Sequence, residues 1–170
     1  MDRVHENPTL QPAIGGVNGA SSSEERMVSV ARTQFDFLEF FAGSGLVAQA
    51  MKGIFYPAWA NDNCVKKAAV YTANHSVENF HLDSISNING ASIPAASMAW
   101  ASFPCQDLSL AGLAEGIHAA RSGLVWEWLR VIDEMVQRPK LLVAENVAGL
   151  VSAAGGAHYR ALHQALTSRG

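Results

Sequence analysis

Met98-Ala99-Trp100-Ala101-Ser102-Phe103-Pro104-Cys105-Gln106 is an apolar run of strand length that stops abruptly at Pro-Cys. A small, polar loop bearing Ser109 and Gly112 follows. A short apolar run closed by a turn signal predicts a buried strand whose end faces a crevice. In open α/β sheets ligands bind outside the carboxyl ends of the strands, so Cys105 is placed to act as a nucleophile. Leu141-Leu142-Val143-Ala144-Glu145-Asn146-Val147 repeats the design, a buried strand ending in a carboxylate and an amide. Each feature alone has a plainer reading. A cysteine in apolar surroundings commonly fills core space, and Glu-Asn after a strand commonly caps a helix or closes a turn. Together the two strand ends suggest a thiol nucleophile with an acid beside it.

Working outward from these strands, the chain alternates between strand and helix signals. Residues 35–41 are aromatic and apolar enough for a central strand, broken by Ala42-Gly43-Ser44-Gly45. Residues 46–51 read as a helix, and residues 55–60 as a second strand closed by Asn61-Asp62-Asn63. Val65, Ala68, Ala69 and Thr72 have helical spacing, with a stop at Asn74-His75. A weak third strand ends near His81-Leu82-Asp83. Leu124, Val125, Trp128, Val131, Ile132 and Met135 form the apolar face of a long helix that must end before Pro139. Tyr159, Leu162 and Leu166 mark a final helix. The alternation predicts an α/β fold with right-handed crossovers and a mainly parallel sheet. Residues 1–34, rich in Gly, Ser, Asn and Pro without a sustained period, read as a disordered leader ahead of one domain over residues 35–170.

Of the 170 residues, 49% are hydrophobic and 16% charged, which suits a sheet covered by helices on both faces. The net charge of -3 excludes a general electrostatic attraction to nucleic acid, so any such contact must be local. Two cysteines, Cys64 and Cys105, argue against a disulfide framework and for a reducing, cytoplasmic setting. Neither has zinc-ligand spacing, so no metal is expected. No apolar stretch reaches membrane-spanning length, and the first 34 residues lack a signal-peptide core.

Gly43-Ser44-Gly45-Leu46-Val47-Ala48 fits G-x-G-x-x-(G/A) between a strand and a helix, where glycine lets ligand and backbone approach closely. Asp62, near the end of the second strand, is positioned to accept hydrogen bonds from a ribose diol. Asp83 is next along the same rim. Both aspartates also read as turn or helix caps. The glycine loop with Asp62 would suit a dinucleotide-dependent oxidoreductase too, but that reading leaves Pro-Cys-Gln and Glu-Asn-Val without a purpose.

Phe40-Phe41-Ala42-Gly43-Ser44-Gly45, Phe103-Pro104-Cys105-Gln106 and Glu145-Asn146-Val147, in that order, resemble motifs of the cytosine-5 DNA methyltransferases. Arg121-Ser122-Gly123-Leu124 resembles the short motif before that family's long helix. The resemblance covers residues 35–170 and implies a Rossmann-like class I methyltransferase core. It implies S-adenosyl-L-methionine as cofactor, bound by Phe41, Gly43, Gly45, Asp62, Asp83 and Pro104, with no metal. Duplex DNA with an extruded cytosine is the implied substrate, in a restriction–modification setting. The chemistry is consistent with this. Carbon 5 of cytosine is a poor nucleophile until a thiolate, here Cys105, adds to carbon 6. Glu145, at a strand end expected to be desolvated, would meet the ring at N3, and Asn146 would brace the Pro104-Cys105 loop.

The chain also departs from the family pattern. Glu39 stands for the commoner aspartate, Leu46 for a frequent glycine, and Asn63 where a bulky residue often covers the adenine. The family's base-holding arginine strand, target-recognition domain and closing helix are not found in these residues. The sheet is therefore expected to be incomplete at its C-terminal side, a complementary C-terminal chain is a candidate partner, and residues 1–170 alone are not expected to methylate DNA. A tRNA cytosine-5 methyltransferase and a catalytically silent fragment that binds a partner chain stay open as alternatives. Cys64 reads as a helix residue without chemistry, His75, His81, His118, His158 and His163 as surface or turn residues, and Trp126 and Trp128 as core.

Overall fold

A computed structural model describes residues 35–104 and 123–169. The expected leader over residues 1–34, Cys105, Arg121 and His118 lie outside these described residues. Five strands, β1 (Phe35–Phe40), β2 (Phe55–Asp62), β3 (Phe80–Leu82), β4 (Met98–Ser102) and β5 (Leu141–Glu145), form one sheet in the order β3-β2-β1-β4-β5. Every pairing is parallel. The helices are α1 (Leu46–Ala50), α2 (Val65–Asn74), α3 (Leu124–Glu134), α4 (Gly149–Ser152) and α5 (Ala157–Thr167). The chain builds outward from β1 to β3, then crosses back to place β4 on the other side of β1. That reversal leaves a crevice at the carboxyl ends of β1 and β4.

Alternation along β1 feeds two cores. Leu38 and Phe40 join the larger one with Trp59, Ala99 and Ala101, against Val125, Trp128, Leu129, Val131 and Ile132 of α3. These five α3 residues recur at helical spacing and are all essentially buried, so burial of one face holds α3 on the sheet. Phe37 points the other way, into a smaller core with Ala48 of α1 and Tyr71 of α2. Trp128 is fully buried and Trp126 packs partly buried beside the larger core, as expected.

β2 runs two residues further than its apolar pattern suggests, through Asn61 and Asp62. The extension is stabilised by pairing to β3, where Asn61 faces His81 and Asp62 faces Leu82. Asn61 Nδ2 also donates to the carbonyls of His81 and Asp83, at 2.9 Å each, which satisfies a buried amide. Cys64 is the N-cap of α2 rather than a helix residue, and it is half-buried. Two 3₁₀ turns, Ile85–Asn87 and Gly90–Ser92, were not legible in the sequence. Arg130 of α3 fixes the first by donating to the carbonyls of Ile85 and Ile88, at 3.1 and 3.2 Å, while pairing with Glu127 and Glu134. On β5 all five residues are exposed or half-exposed. Among the described residues no strand pairs its outer side. No helix among the described residues is long and apolar enough to cross a membrane.

Candidate active site

The crevice opens where β1, β2, β3 and β4 end. Phe41, Asp62, Asp83 and Pro104 line it, four of the residues picked from sequence. Asn61, Asn63, Lys67, Ile85, Ser102 and Leu124 complete its wall. Sequence reading missed most of these, because Ile85 and Leu124 reach the crevice only through the packing of the first 3₁₀ turn and α3. A polar strand end followed by a lysine one helical turn on was the only local signal for Lys67.

The chain leaves β1 through a strained backbone. Phe41 has φ +56°, a conformation that side-chain-bearing residues seldom adopt, and Gly43 follows at φ +59°. Such strain persists only where the surroundings impose it. Here Asp62 does so: Oδ2 accepts the Gly43 N–H at 2.8 Å, and Oδ1 accepts the Cys64 N–H at 2.8 Å. Asp62 therefore ties the glycine loop to the end of β2, and each oxygen retains a lone pair for a further donor. A side chain at Gly43 would meet nothing nearer than 4.0 Å, so the space beside the loop is open. Asp83 is exposed, and its Oδ1 accepts from the Ser84 N–H at 2.7 Å and from Asn87 Nδ2 at 2.8 Å. Two carboxylates, with Phe41, Ile85, Pro104 and Leu124 as apolar walls, make a lining suited to a nucleoside: acceptors for a diol and an amino group, apolar surfaces for a ring.

The strand ends on the other side are arranged more loosely. Ser102 of β4 is in register with Glu145 of β5. Trp100 Nε1 donates to the Ser102 hydroxyl at 2.9 Å. Asn146 Nδ2 donates to the Phe103 carbonyl at 2.7 Å. Glu145 departs from expectation. It is exposed rather than desolvated, because β5 is the edge of the described sheet and no described element covers its outer side. Glu145, Asn146, Gly43 and Gly45 are not among the residues lining the crevice.

Beneath the glycine loop lies Glu39, 1% exposed. Burial pushes its carboxyl up from 4.5 to about 7, against the opposing pull of the Ala48 backbone N–H and the Tyr71 hydroxyl. Tyr71 donates to Glu39 Oε2 at 3.3 Å. Burial, and the charge of Glu39 beside it, push the Tyr71 phenol upward as well.

A parallel sheet of this order, with its crevice at the β1/β4 reversal and acids at the ends of β2 and β3, defines a Rossmann-like α/β fold of the methyltransferase type. Solved structures agree on the fold. The S. pombe Dnmt2 methyltransferase superposes with a TM-score of 0.58 at 19% identity, covering 77% of this chain and 40% of that one. An E. coli structure described as a putative DNA modification methyltransferase encoded within a prophage gives 0.57 at 15% identity, covering 79% and 38%. Residues 35–170 match the family model described as C-5 cytosine-specific DNA methylase, and the chain belongs to that family. Among curated relatives, the Type II methyltransferase M.Bsp6I of Bacillus sp. (strain RFL6) is 32% identical over 133 residues, 76% of this chain and 41% of the relative. The Type II methyltransferase M.PspPI of Psychrobacter sp. (strain TA137) is 30% identical over 161 residues, 90% of this chain and 38% of the relative. The chain thus spans about two fifths of the length of these relatives.

Proposed function

We infer that this chain carries the cofactor site and the nucleophile of a DNA cytosine-5 methyltransferase of the restriction–modification type. The observation that carries the reading is the crevice itself. Two acids and four apolar walls line it at the β1/β4 reversal, and one of those walls, Pro104, immediately precedes Cys105.

S-adenosyl-L-methionine, when bound, supplies an electrophilic methyl group. Asp62, while holding Gly43, would accept from its ribose hydroxyls, and Asp83 would accept from its adenine amino group. Phe41 and Pro104 would flank the cofactor, and the open space beside Gly43 would give it close approach to the backbone. Cys105 adds its thiolate to carbon 6 of an extruded cytosine, which makes carbon 5 nucleophilic toward the methyl group. Once carbon 5 carries the methyl group, loss of its proton to solvent water and elimination of the thiolate restore the ring. Glu145 holds a proton at N3 while the adduct forms, which requires a neighbour that shields its strand end from water. Asn146 acts through the Phe103 carbonyl to hold the approach to Cys105. Duplex DNA is the substrate, and a complementary C-terminal portion supplies the grip on it.

Calorimetry with S-adenosylhomocysteine and with NAD tests the reading. S-adenosylhomocysteine is expected to bind and to raise the melting temperature with concentration. Tighter binding of NAD would overturn the assignment.

A further inference from the structure

We propose that His75, backed by Tyr71, is a positioning residue for the cofactor loop: it holds the Gly45 carbonyl from behind and occupies the space that requires glycine at position 45. The proposal rests on the reading of Gly43–Gly45 as part of the cofactor site.

The sequence pattern assigns Gly45 to close approach of a ligand. The geometry assigns it to the chain's own side chains. Gly45 has φ +84°, and a Cβ there would lie 2.5 Å from His75 Cδ2, 2.6 Å from His75 Nε2 and 2.9 Å from Tyr71 Cδ2. His75 is the C-cap of α2, its N–H bonded to the Tyr71 carbonyl at 2.9 Å, so its backbone is fixed by the helix end. Its Nε2 lies 3.0 Å from the Gly45 carbonyl, a contact that requires the hydrogen on Nε2. The same carbonyl accepts from the Gln49 N–H at 3.0 Å, so holding it also sets the first turn of α1.

The support continues beneath the histidine. The Tyr71 ring packs on His75 at 4.8 Å and on Phe80 at 4.7 Å, and its hydroxyl reaches Glu39 on β1, two residues before Phe41. Neither Tyr71 nor His75 lines the crevice. The loop is therefore held from two sides, by Asp62 through the Gly43 N–H and by His75 through the Gly45 carbonyl. A ligand lying on such a loop meets backbone groups already in place, and release of one support loosens them.

The test uses the full 170-residue chain. His75→Ala is expected to weaken S-adenosylhomocysteine binding about tenfold. In His75→Gln the side-chain amide can donate to the same carbonyl, and most of the affinity is expected to return. Gly45→Ala should lower the melting temperature strongly in the wild-type background and less in the His75→Ala background. Amide exchange at Gly45 and Gln49 should quicken in His75→Ala and slow again in His75→Gln. Unchanged affinity in His75→Ala, or no difference between the alanine and glutamine variants, would overturn the proposal. If the wild-type chain binds no S-adenosylhomocysteine, the cofactor reading fails on its own. The exchange rates then decide the support, with unchanged rates in His75→Ala counting against it and faster rates for it.

Discussion

Along the rim where the strands end, β2 keeps its polar end tied inward against β3 and the glycine loop, whereas Pro104 after β4 and Glu145 at the end of β5 stand toward solvent. Asn61 and Asp62 are 1% and 6% exposed, and together they accept from or donate to four backbone groups. Glu145 and Pro104 are exposed, and the link beyond the sheet register is one amide, Asn146 on the Phe103 carbonyl. The two halves have different work in the proposed reaction. A cofactor cradle gains from groups fixed before the ligand arrives. A nucleophile and acid that meet an extruded base need an approach left open, and their order is completed by what closes over them.

The sharpest way to break this comparison uses the two cysteines, one in each half. In an enzyme completed with the family's C-terminal portion, duplex DNA carrying 5-fluorocytosine should trap a covalent adduct, because fluorine blocks the final elimination. Cys105→Ser is expected to abolish the adduct and leave S-adenosylhomocysteine binding intact. Cys64→Ser should leave both the adduct and the binding intact. Mass spectrometry placing the adduct on Cys64 would reverse the assignment of the two halves.

Glu39 offers the next largest effect, on stability rather than chemistry. Its folded-state value of about 7 lies above the ordinary 4.5, so the folded chain binds this proton more tightly than the unfolded chain. The stabilisation is complete below pH 4.5 and is lost as pH rises to about 7. The loss amounts to about 3 kcal/mol. Glu39→Gln should flatten that decline and be the more stable protein at pH 8, as read from denaturant melts at several pH values. An unchanged slope between pH 5 and 8 would show that the tied half is not closed to water.

Asp62→Ala removes the acceptor of two backbone N–H groups and should cost about 2 kcal/mol of stability. S-adenosylhomocysteine affinity should fall with it, because Gly43 loses its tether. Asp62→Asn keeps one acceptor oxygen and should fall between the two. If affinity fell while stability held in Asp62→Ala, Asp62 would be a ligand contact alone, and the loop would owe its shape to other groups.

How far the sequence foretells each half follows from how local the determinants are. β4 and β5 are apolar runs and β1 an aromatic one interrupted by Asp36 and Glu39, each cut off by glycine, proline or Glu-Asn, so their ends were legible. Phe41, Asp62, Asp83 and Pro104 followed, because a residue at a strand end is at the rim wherever the sheet is open. Ile85 was not legible: it reaches the crevice in a turn held by Arg130, 45 residues away. His75 carried no ligand spacing, and its partner Gly45 lies 30 residues earlier. The exposure of Glu145 was missed for a third reason. An apolar run predicts burial on both faces, but β5 is the edge of the described sheet and all its residues keep some contact with water.

The smallest expected effect concerns Asn146, and it tests whether the loose half is held at all. Pro104 has no N–H, so the chain leaving β4 cannot be tied by a ladder bond at that residue. Asn146 substitutes for the missing tie: Nδ2 donates to the Phe103 carbonyl at 2.7 Å, and Oδ1 accepts the Val147 N–H at 2.9 Å. Asn146→Ala removes both bonds at a half-buried site and should cost about 1 kcal/mol of stability. Asn146→Asp keeps the acceptor for Val147 but turns a carboxylate oxygen toward the Phe103 carbonyl, two acceptors with no hydrogen between them. The aspartate variant should therefore lose more stability than the alanine variant at pH 7, although it is the closer match in shape. In the completed enzyme the rate of adduct formation should follow the same order, wild type, alanine, then aspartate, with S-adenosylhomocysteine affinity nearly level across the three. Equal adduct rates in all three proteins would mean that the amide only closes a turn, and that the approach to Cys105 is set from elsewhere.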